Sequence, residues 1–267
     1  MGLVEGKVAL VSGIGPGMGR DISLLLAQHG ADVVLGARTI EKCEAVAKEV
    51  ATIGGEGEPR RALPVRLDIT DVDSCAAAVA AATDTFGRVD ILVNNAFDDG
   101  DHMPFERADL DRWRATMETN FFGTLHLTKA VVPVMKERGD GRIVMVNSMS
   151  STKIEARAGA YAASKAALAT ATKTLARELG PFGIRVNGIH PGYIWSDKVE
   201  WYVGFMAEKE GITYAEKLAQ LEAETCLGYL PHSSEIAGSV LFFASDLAKC
   251  VTGQALGVNS GHHFQGF

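Results

Sequence analysis

Seven short apolar runs, each separated from the next by a helical stretch, constrain this chain more than any other feature. They lie at residues 7–11, 32–35, 63–67, 89–93, 142–146, 184–189 and 255–258. Helical periodicity is read between them over 20–29, 41–50, 71–86, 109–138, a segment carrying Tyr161 that runs to about 179, then 198–227 and 234–243. A strand with one wet face alternates apolar and polar residues. Several runs here do not, as in Val8-Ala9-Leu10-Val11. Unbroken apolar strands alternating with helices are the pattern of a parallel sheet covered on both faces.

Right-handed crossovers then give a single doubly wound, Rossmann-type α/β sheet. No low-complexity segment, repeat or linker interrupts the 267 residues. One domain over 1–267 is expected, with a substrate lid at about 193–228. Such sheets bind ligands beyond the carboxyl ends of their strands. Gly13, Arg38, Asp68, Asn94, Ser148 and the stretch from Pro191 to Ser196 each follow a strand, and so fall on that edge.

Composition narrows the partners. Hydrophobic residues make up 47% of the chain, enough for a sizeable core. The formal net charge of -7, with no Lys/Arg cluster, argues against nucleic acid. The most apolar long stretch, 121–135, contains His126, Lys129 and Pro133 and reads as a buried helix, so no membrane association is expected. The N-terminus does not read as a signal peptide. Cys43, Cys75, Cys226 and Cys250 are far apart and form neither a C-x-x-C pair nor a zinc spacing. Reduced thiols in a cytoplasmic protein without a metal are expected. The adjacent His262 and His263 read as solvated or packed, and the acidic run at 98–101 as a solvated loop.

Ser12-Gly13-Ile14-Gly15-Pro16-Gly17-Met18-Gly19 joins the first strand to the first helix. Glycine there allows a tight turn and lets backbone approach a pyrophosphate at a helix N-terminus. A dinucleotide is favoured over a mere turn. The second strand ends Leu35-Gly36-Ala37-Arg38 without the carboxylate an NAD enzyme usually places on the ribose hydroxyls. Arg38 is either a surface arginine or a partner for a 2′-phosphate. The missing acid and the adjacent base favour NADP(H) over NAD(H).

Tyr161 and Lys165 are four residues apart in a helical stretch and so share a face. A free phenol, with a pKa of about 10, is a poor base at neutral pH. A neighbouring ammonium favours the phenolate and is expected to lower that pKa. Ser148, after the apolar run 143–146, is placed to fix the oxygen on which Tyr161 acts. The spacing alone is common in ordinary helices, so its weight comes from what precedes it.

In this ordered set the chain resembles the classical short-chain dehydrogenase/reductase family over nearly its whole length. Gly13, Gly17 and Gly19 match the family's G-x-x-x-G-x-G loop. Asp68-Ile69 matches its adenine-side acid, Asn94-Asn95-Ala96 its N-N-A-G element, and Pro191-Gly192 the turn beside the nicotinamide. Asn120, Ser148, Tyr161 and Lys165 match its tetrad. The resemblance implies hydride transfer between a nicotinamide and a carbonyl or secondary alcohol. Tyr161 would be general acid/base, Ser148 would orient the substrate oxygen, and Lys165 would tune the phenol and hold the ribose. Asn120 would hold a water linking Lys165 to solvent. Ile14, Met18, Ala96, Ile194 and Ser196 join the implied cofactor contacts. For Asp68 cofactor contact is favoured narrowly over a role as the acid that starts the next helix, and Asn120 is equally readable as a helix-bending structural residue. Phe97 replaces the last Gly of N-N-A-G, and Ser196 stands where Thr is frequent. An enoyl reductase of this fold would use a wider Tyr-to-Lys spacing.

The region after Pro191 is aromatic, and Trp195, Tyr202 and Phe205 are the residues chosen to meet an apolar small-molecule substrate, the alternative being that they pack the lid. His102 and Met103 are candidates for the pocket's border. Small residues along the Tyr161 helix permit close helix approach, and the resemblance implies a homotetramer. Two other readings stay open: an NAD-linked alcohol dehydrogenase working oxidatively, and a non-catalytic dinucleotide-binding regulator.

Overall fold

The first strand, β1 (Val8–Ser12), is buried along its whole length. Its residues divide between two cores: Ala9 and Val11 join one, Val8 and Leu10 the other. The same division holds for β2 (Asp32–Ala37), β4 (Ile91–Asn94) and β5 (Gly141–Val146). Val33, Ile91 and Val144 face one way, and Val34, Leu92 and Ile143 the other. The unbroken apolar runs therefore reflect a sheet wetted on neither face. Each such side chain contributes about 1.5–3 kcal/mol by leaving water.

With β3 (Ala62–Arg66), β6 (Ile184–Pro191) and β7 (Ala255–Val258), the strands form one parallel sheet in the order β3-β2-β1-β4-β5-β6-β7. Leu10 lies beside Val34 on one side and Leu92 on the other. Helices α1 (Met18–Gln28), α2 (Ile40–Val50) and α9 (Ser233–Ala244) cover one face. Helices α3 (Val72–Phe86), α5 (Thr124–Arg138) and α6 (Gly159–Leu179) cover the other. This computed structural model describes residues 2–53 and 60–264. Among them no helix is long and apolar enough to cross a membrane, and no group of His, Cys, Asp or Glu is arranged to hold a metal.

Two helical stretches are subdivided. The helical stretch expected over 109–138 is α4 (Leu110–Met117), a π-helical turn Glu118–Gly123 and then α5. The helical region expected over 198–227 holds two helices, α7 (Asp197–Glu210) and α8 (Tyr214–Ala223). Gly211, at φ +69°, ends α7, and Thr213 opens α8 in a reciprocal capping box with Glu216. Val203 of α7 and Leu221 of α8 share a small separate core with Leu230, against which Tyr193, Trp195 and Tyr202 pack.

The chain moves outward from β1 to β3, then returns to place β4 on the other side of β1. The carboxyl ends of β1 and β4 therefore flank the point where strand order reverses, where doubly wound sheets bind ligands.

Candidate active site

Ser12 and Asn95 join the two strand ends at that point. The Ser12 hydroxyl accepts from the N–H groups of Asn95 (3.1 Å) and Ala96 (3.3 Å). The Asn95 side-chain amide donates to the carbonyls of Ser12 (3.2 Å) and Gly13 (2.9 Å). Gly13 has φ +77°, and a Cβ there would lie 2.5 Å from the Ala96 Cα. A Cβ on Gly19 would lie 2.5 Å from the Gly13 carbonyl oxygen. These glycines let the loop fold onto β4. Gly15 and Gly17 instead border open space, and Gly17 begins α1 without a side-chain cap. The loop is thus a cradle with unpaired helix-start N–H groups, and its shape fits a pyrophosphate.

A cleft beside this loop is lined by Gly13, Ile14, Ala37, Arg38, Thr39, Lys42, Asp68, Ile69, Asn95, Ala96, Phe97 and Thr119, together with Leu67 and Thr70. Two cations, Arg38 and Lys42, therefore stand at the end of β2, where no carboxylate replaces them. Lys42 and Thr39 were not singled out from the sequence, because neither belongs to a recognisable pattern. Asp68 does not cap a helix; Asp71 does, accepting from the N–H groups of Asp73 and Ser74. The Asp68 carboxylate accepts from the Thr70 N–H (3.0 Å) and hydroxyl (2.7 Å). Burial works against its ionisation, but the Thr70 bonds and the charges of Arg38 and Arg66 outweigh it and lower its pKa. Asn94, which the resemblance places among the cofactor contacts, is buried and donates to the Thr128 hydroxyl (2.9 Å), and its neighbour Asn95 lines the cleft.

Ser148, Tyr161 and Lys165 meet at the end of β5. The Ser148 hydroxyl lies near enough to the Tyr161 phenol to favour its ionisation, and it accepts from the Ser150 N–H at 3.1 Å. Lys165, only 2% exposed, donates to the carbonyl of Val146 at 2.8 Å, with its nitrogen 5.7 Å from the Tyr161 ring centre. The expected acidification of Tyr161 by Lys165 is corrected. Burial raises the phenol pKa, and the Ser148 bond pulls it down by less. Burial also lowers Lys165 to about 7, because a charged group loses hydration there and gains one carbonyl in exchange. Beneath Ser148 lies His190, unremarked in the sequence. Its Nδ1 is 3.1 Å from the Ser148 carbonyl oxygen and 3.0 Å from the Ser151 hydroxyl. Burial lowers the pKa of His190 to about 4, which keeps it neutral.

Asn120 sits in the π-helical turn and does not touch Lys165. Both of its amide hydrogens and one lone pair of its oxygen are committed to other groups. Its Oδ1 accepts from the Asp98 N–H (2.7 Å), and its Nδ2 donates to the Asp98 carbonyl (2.7 Å) and the Ser164 hydroxyl (2.9 Å). It thereby fixes the loop after β4, which Arg112 also holds through the Asp98 carboxylate. Phe97 precedes that anchor. Its ring meets Tyr161 edge-on, with centres 6.5 Å apart at 69°.

Of the aromatic residues chosen for the substrate, Trp195 and Tyr202 pack against the small separate core, and Tyr202 stacks on Tyr193. Phe205 is exposed and stacks on Trp201. The Ser196 hydroxyl accepts from the Val199 N–H and caps α7. Ile194 and Met18 are half-buried against the α1 side core. Pro191 ends β6, and Gly192 passes close to Asn259, where a Cβ would lie 2.8 Å from the Asn259 Cβ. His262 is packed, as the sequence allowed: Lys153 and Glu224 bond to it, and Tyr193 lies against its ring.

Residues 13–263 match a family model described as enoyl-(acyl carrier protein) reductase. The chain is 38% identical over 261 residues to trans-4-hydroxycyclohexanecarboxylate dehydrogenase of Sinomonas cyclohexanicum, covering 97% of this chain and 93% of that one. It is 35% identical to a 3-oxoacyl-(acyl-carrier-protein) reductase of Thermotoga maritima, covering 97% and 98%. Among solved structures, NAD+-bound xylitol dehydrogenase superposes with a TM-score of 0.86 at 30% identity, covering 96% of this chain and 98% of that one.

Proposed function

The chain belongs to the short-chain dehydrogenase/reductase family, and from that premise we propose that it reduces apolar ketones, or oxidises the matching secondary alcohols, with NADP(H) as the favoured nucleotide. The observation that carries this reading is the Ser148–Tyr161 pair beside a buried Lys165, at the reversal point of the sheet and next to the glycine cradle. The four-residue step from Tyr161 to Lys165 supports chemistry at a C–O bond rather than the reduction of a carbon–carbon double bond.

The glycine cradle and the Asp68–Ile69 turn would hold the dinucleotide, with Arg38 and Lys42 toward a 2′-phosphate. When bound, the nicotinamide supplies or accepts the hydride. The side chains of this protein place and protonate the substrate. The Ser148 hydroxyl and the Tyr161 phenol converge on one oxygen, and fixing that oxygen between them lowers the entropic cost of reaction. In reduction, Tyr161 donates its proton to the carbonyl oxygen as negative charge develops there. Its raised pKa keeps it protonated at neutral pH and ready for that role. In oxidation the same phenol must take a proton, so the raised pKa favours alkaline conditions. Lys165 has a pKa lowered to about 7, so it can carry a proton in or out near neutrality.

Residues 193–228, with α7 and α8, are proposed as the lid. The protein is further proposed to assemble as a homotetramer. Two features support assembly: the edge strand β7 carries exposed apolar residues including Leu256, and α6 exposes small residues such as Ala163. The functional reading is tested by screening ketones and secondary alcohols, from small acyclic to steroid-sized, with NADPH, NADH and their oxidised forms. Turnover of carbonyl compounds with NADPH supports it. Nucleotide binding without turnover of any of them would favour a regulator.

A further inference from the structure

We infer that Phe97 is a specificity-determining residue whose ring forms one wall of the substrate site and selects ring-shaped, apolar ketones or alcohols over open-chain ones. The inference rests on the oxidoreductase reading above and assigns a substrate class to the same site.

Phe97 is 59% exposed, yet the residue after it is anchored. Asn120 bonds both backbone groups of Asp98, the next residue, and Arg112 pairs with the Asp98 carboxylate. One edge of the Phe97 ring is used against Tyr161. The rest is bare hydrocarbon beside the phenol that meets the substrate oxygen. A large apolar group that is held in place and left bare at a reacting centre is a binding surface in search of an apolar partner.

The opposite wall can be identified from helical spacing. Lys198, Trp201 and Phe205 lie at positions i, i+3 and i+7 of α7 and therefore share one face. Lys198 forms an ion pair with Asp99, two residues beyond Phe97. That face of α7 therefore looks across the mouth of the site toward the Phe97 loop. On it Trp201 and Phe205 stack on each other, with ring centres 5.3 Å apart and planes within 12°. They remain 66% and 48% exposed. Two bare aromatic surfaces thus face one opening above Tyr161. A rigid alicyclic or aromatic ring covers both and freezes no internal rotations on entering, whereas a flexible chain of the same carbon count loses rotamer freedom for less contact.

The test compares two ten-carbon ketones, trans-1-decalone and 2-decanone, with NADPH, in the wild-type protein and in Phe97→Gly, Phe97→Tyr and Trp201→Ala. The readout is the ratio of kcat/KM for decalone to that for decanone. Both ketones meet the same enzyme–nucleotide complex, so the ratio cancels any change in nucleotide affinity. The ratio is expected to exceed one in wild type and to fall by about tenfold or more in Phe97→Gly, mainly through the KM for decalone. It should fall in the same direction in Trp201→Ala, whose exposed side chain supports no core, and stay within about threefold of wild type in Phe97→Tyr. A ratio that Phe97→Gly leaves unmoved, or a wild type that prefers decanone, overturns the inference while leaving the oxidoreductase reading standing. A wild type that reduces neither these nor any other ketone with either nucleotide overturns the parent reading and the inference with it.

Discussion

The Lys165 ammonium is hydrogen-bonded to the carbonyl oxygen of Val146 at 2.8 Å, which ties the middle of the site to the end of β5 two residues before Ser148. That bond joins α6 to β5 beside the residues that carry Tyr161 and Ser148. Among the described residues the Val146 carbonyl is also the one hydrogen-bond partner of this buried amine, and burial dominates the amine's titration.

Stability should record that burial. The pKa of Lys165 falls from an ordinary 10.5 to about 7 on folding. Between those values the unfolded chain binds more protons, so stability rises with pH there. The penalty is fully present below about pH 7 and gone above about pH 10.5. Lys165→Met removes the penalty but leaves the Val146 carbonyl unpaired. The melting temperature of wild type minus that of Lys165→Met is therefore expected to rise between pH 7 and pH 10, by about 4 °C or more for a chain of this size. A difference that stays flat across this range contradicts the assignment. Scanning calorimetry of both proteins decides it, because every other titrating group cancels in the difference.

Asn120→Ala should act through Asp98 and not through Lys165. It leaves the Asp98 N–H and carbonyl without their partners, at a cost of about 1–3 kcal/mol measured by urea unfolding. Because that loop carries Phe97, KM for an apolar ketone should rise more than kcat falls. Full stability with a collapse in kcat would assign Asn120 to proton transfer instead.

Arg38→Ala should weaken NADPH binding by about 10–100-fold, the worth of a charge-assisted hydrogen bond to phosphate, and change NADH binding by much less. Fluorescence titration of both nucleotides measures this. Tighter NADH than NADPH binding by the wild type would overturn the cofactor preference.

The fold was legible because the physics that hides a strand on both faces also erases its alternation. The runs at β1 and β5 could be read as buried before any contact was known. The Tyr161–Lys165 face was legible for the same kind of reason, since helical spacing is local. The break between α7 and α8 could also have been read, because Gly211 and the Thr213–Glu216 pair are a stop and a start in close succession. Other features depend on which distant groups meet. The grip of Asn120 on Asp98 spans 22 residues, and the contact of His190 with Ser148 spans 42. The pKa direction at Tyr161 was misjudged because spacing gives proximity but not burial, and burial is the largest influence on the phenol. Phe97 was noticed as a departure from a pattern, but its place against Tyr161 required the turn that Ser12, Gly13 and Asn95 hold.

The most direct test of the account compares Tyr161→Phe with wild type, measuring NADPH affinity by fluorescence and ketone reduction by loss of nucleotide absorbance. The phenol is assigned to proton transfer and not to folding, so the variant should bind NADPH nearly as well as wild type while its turnover falls by about 10²–10⁴-fold. Undiminished ketone reduction by Tyr161→Phe would contradict the account at its centre.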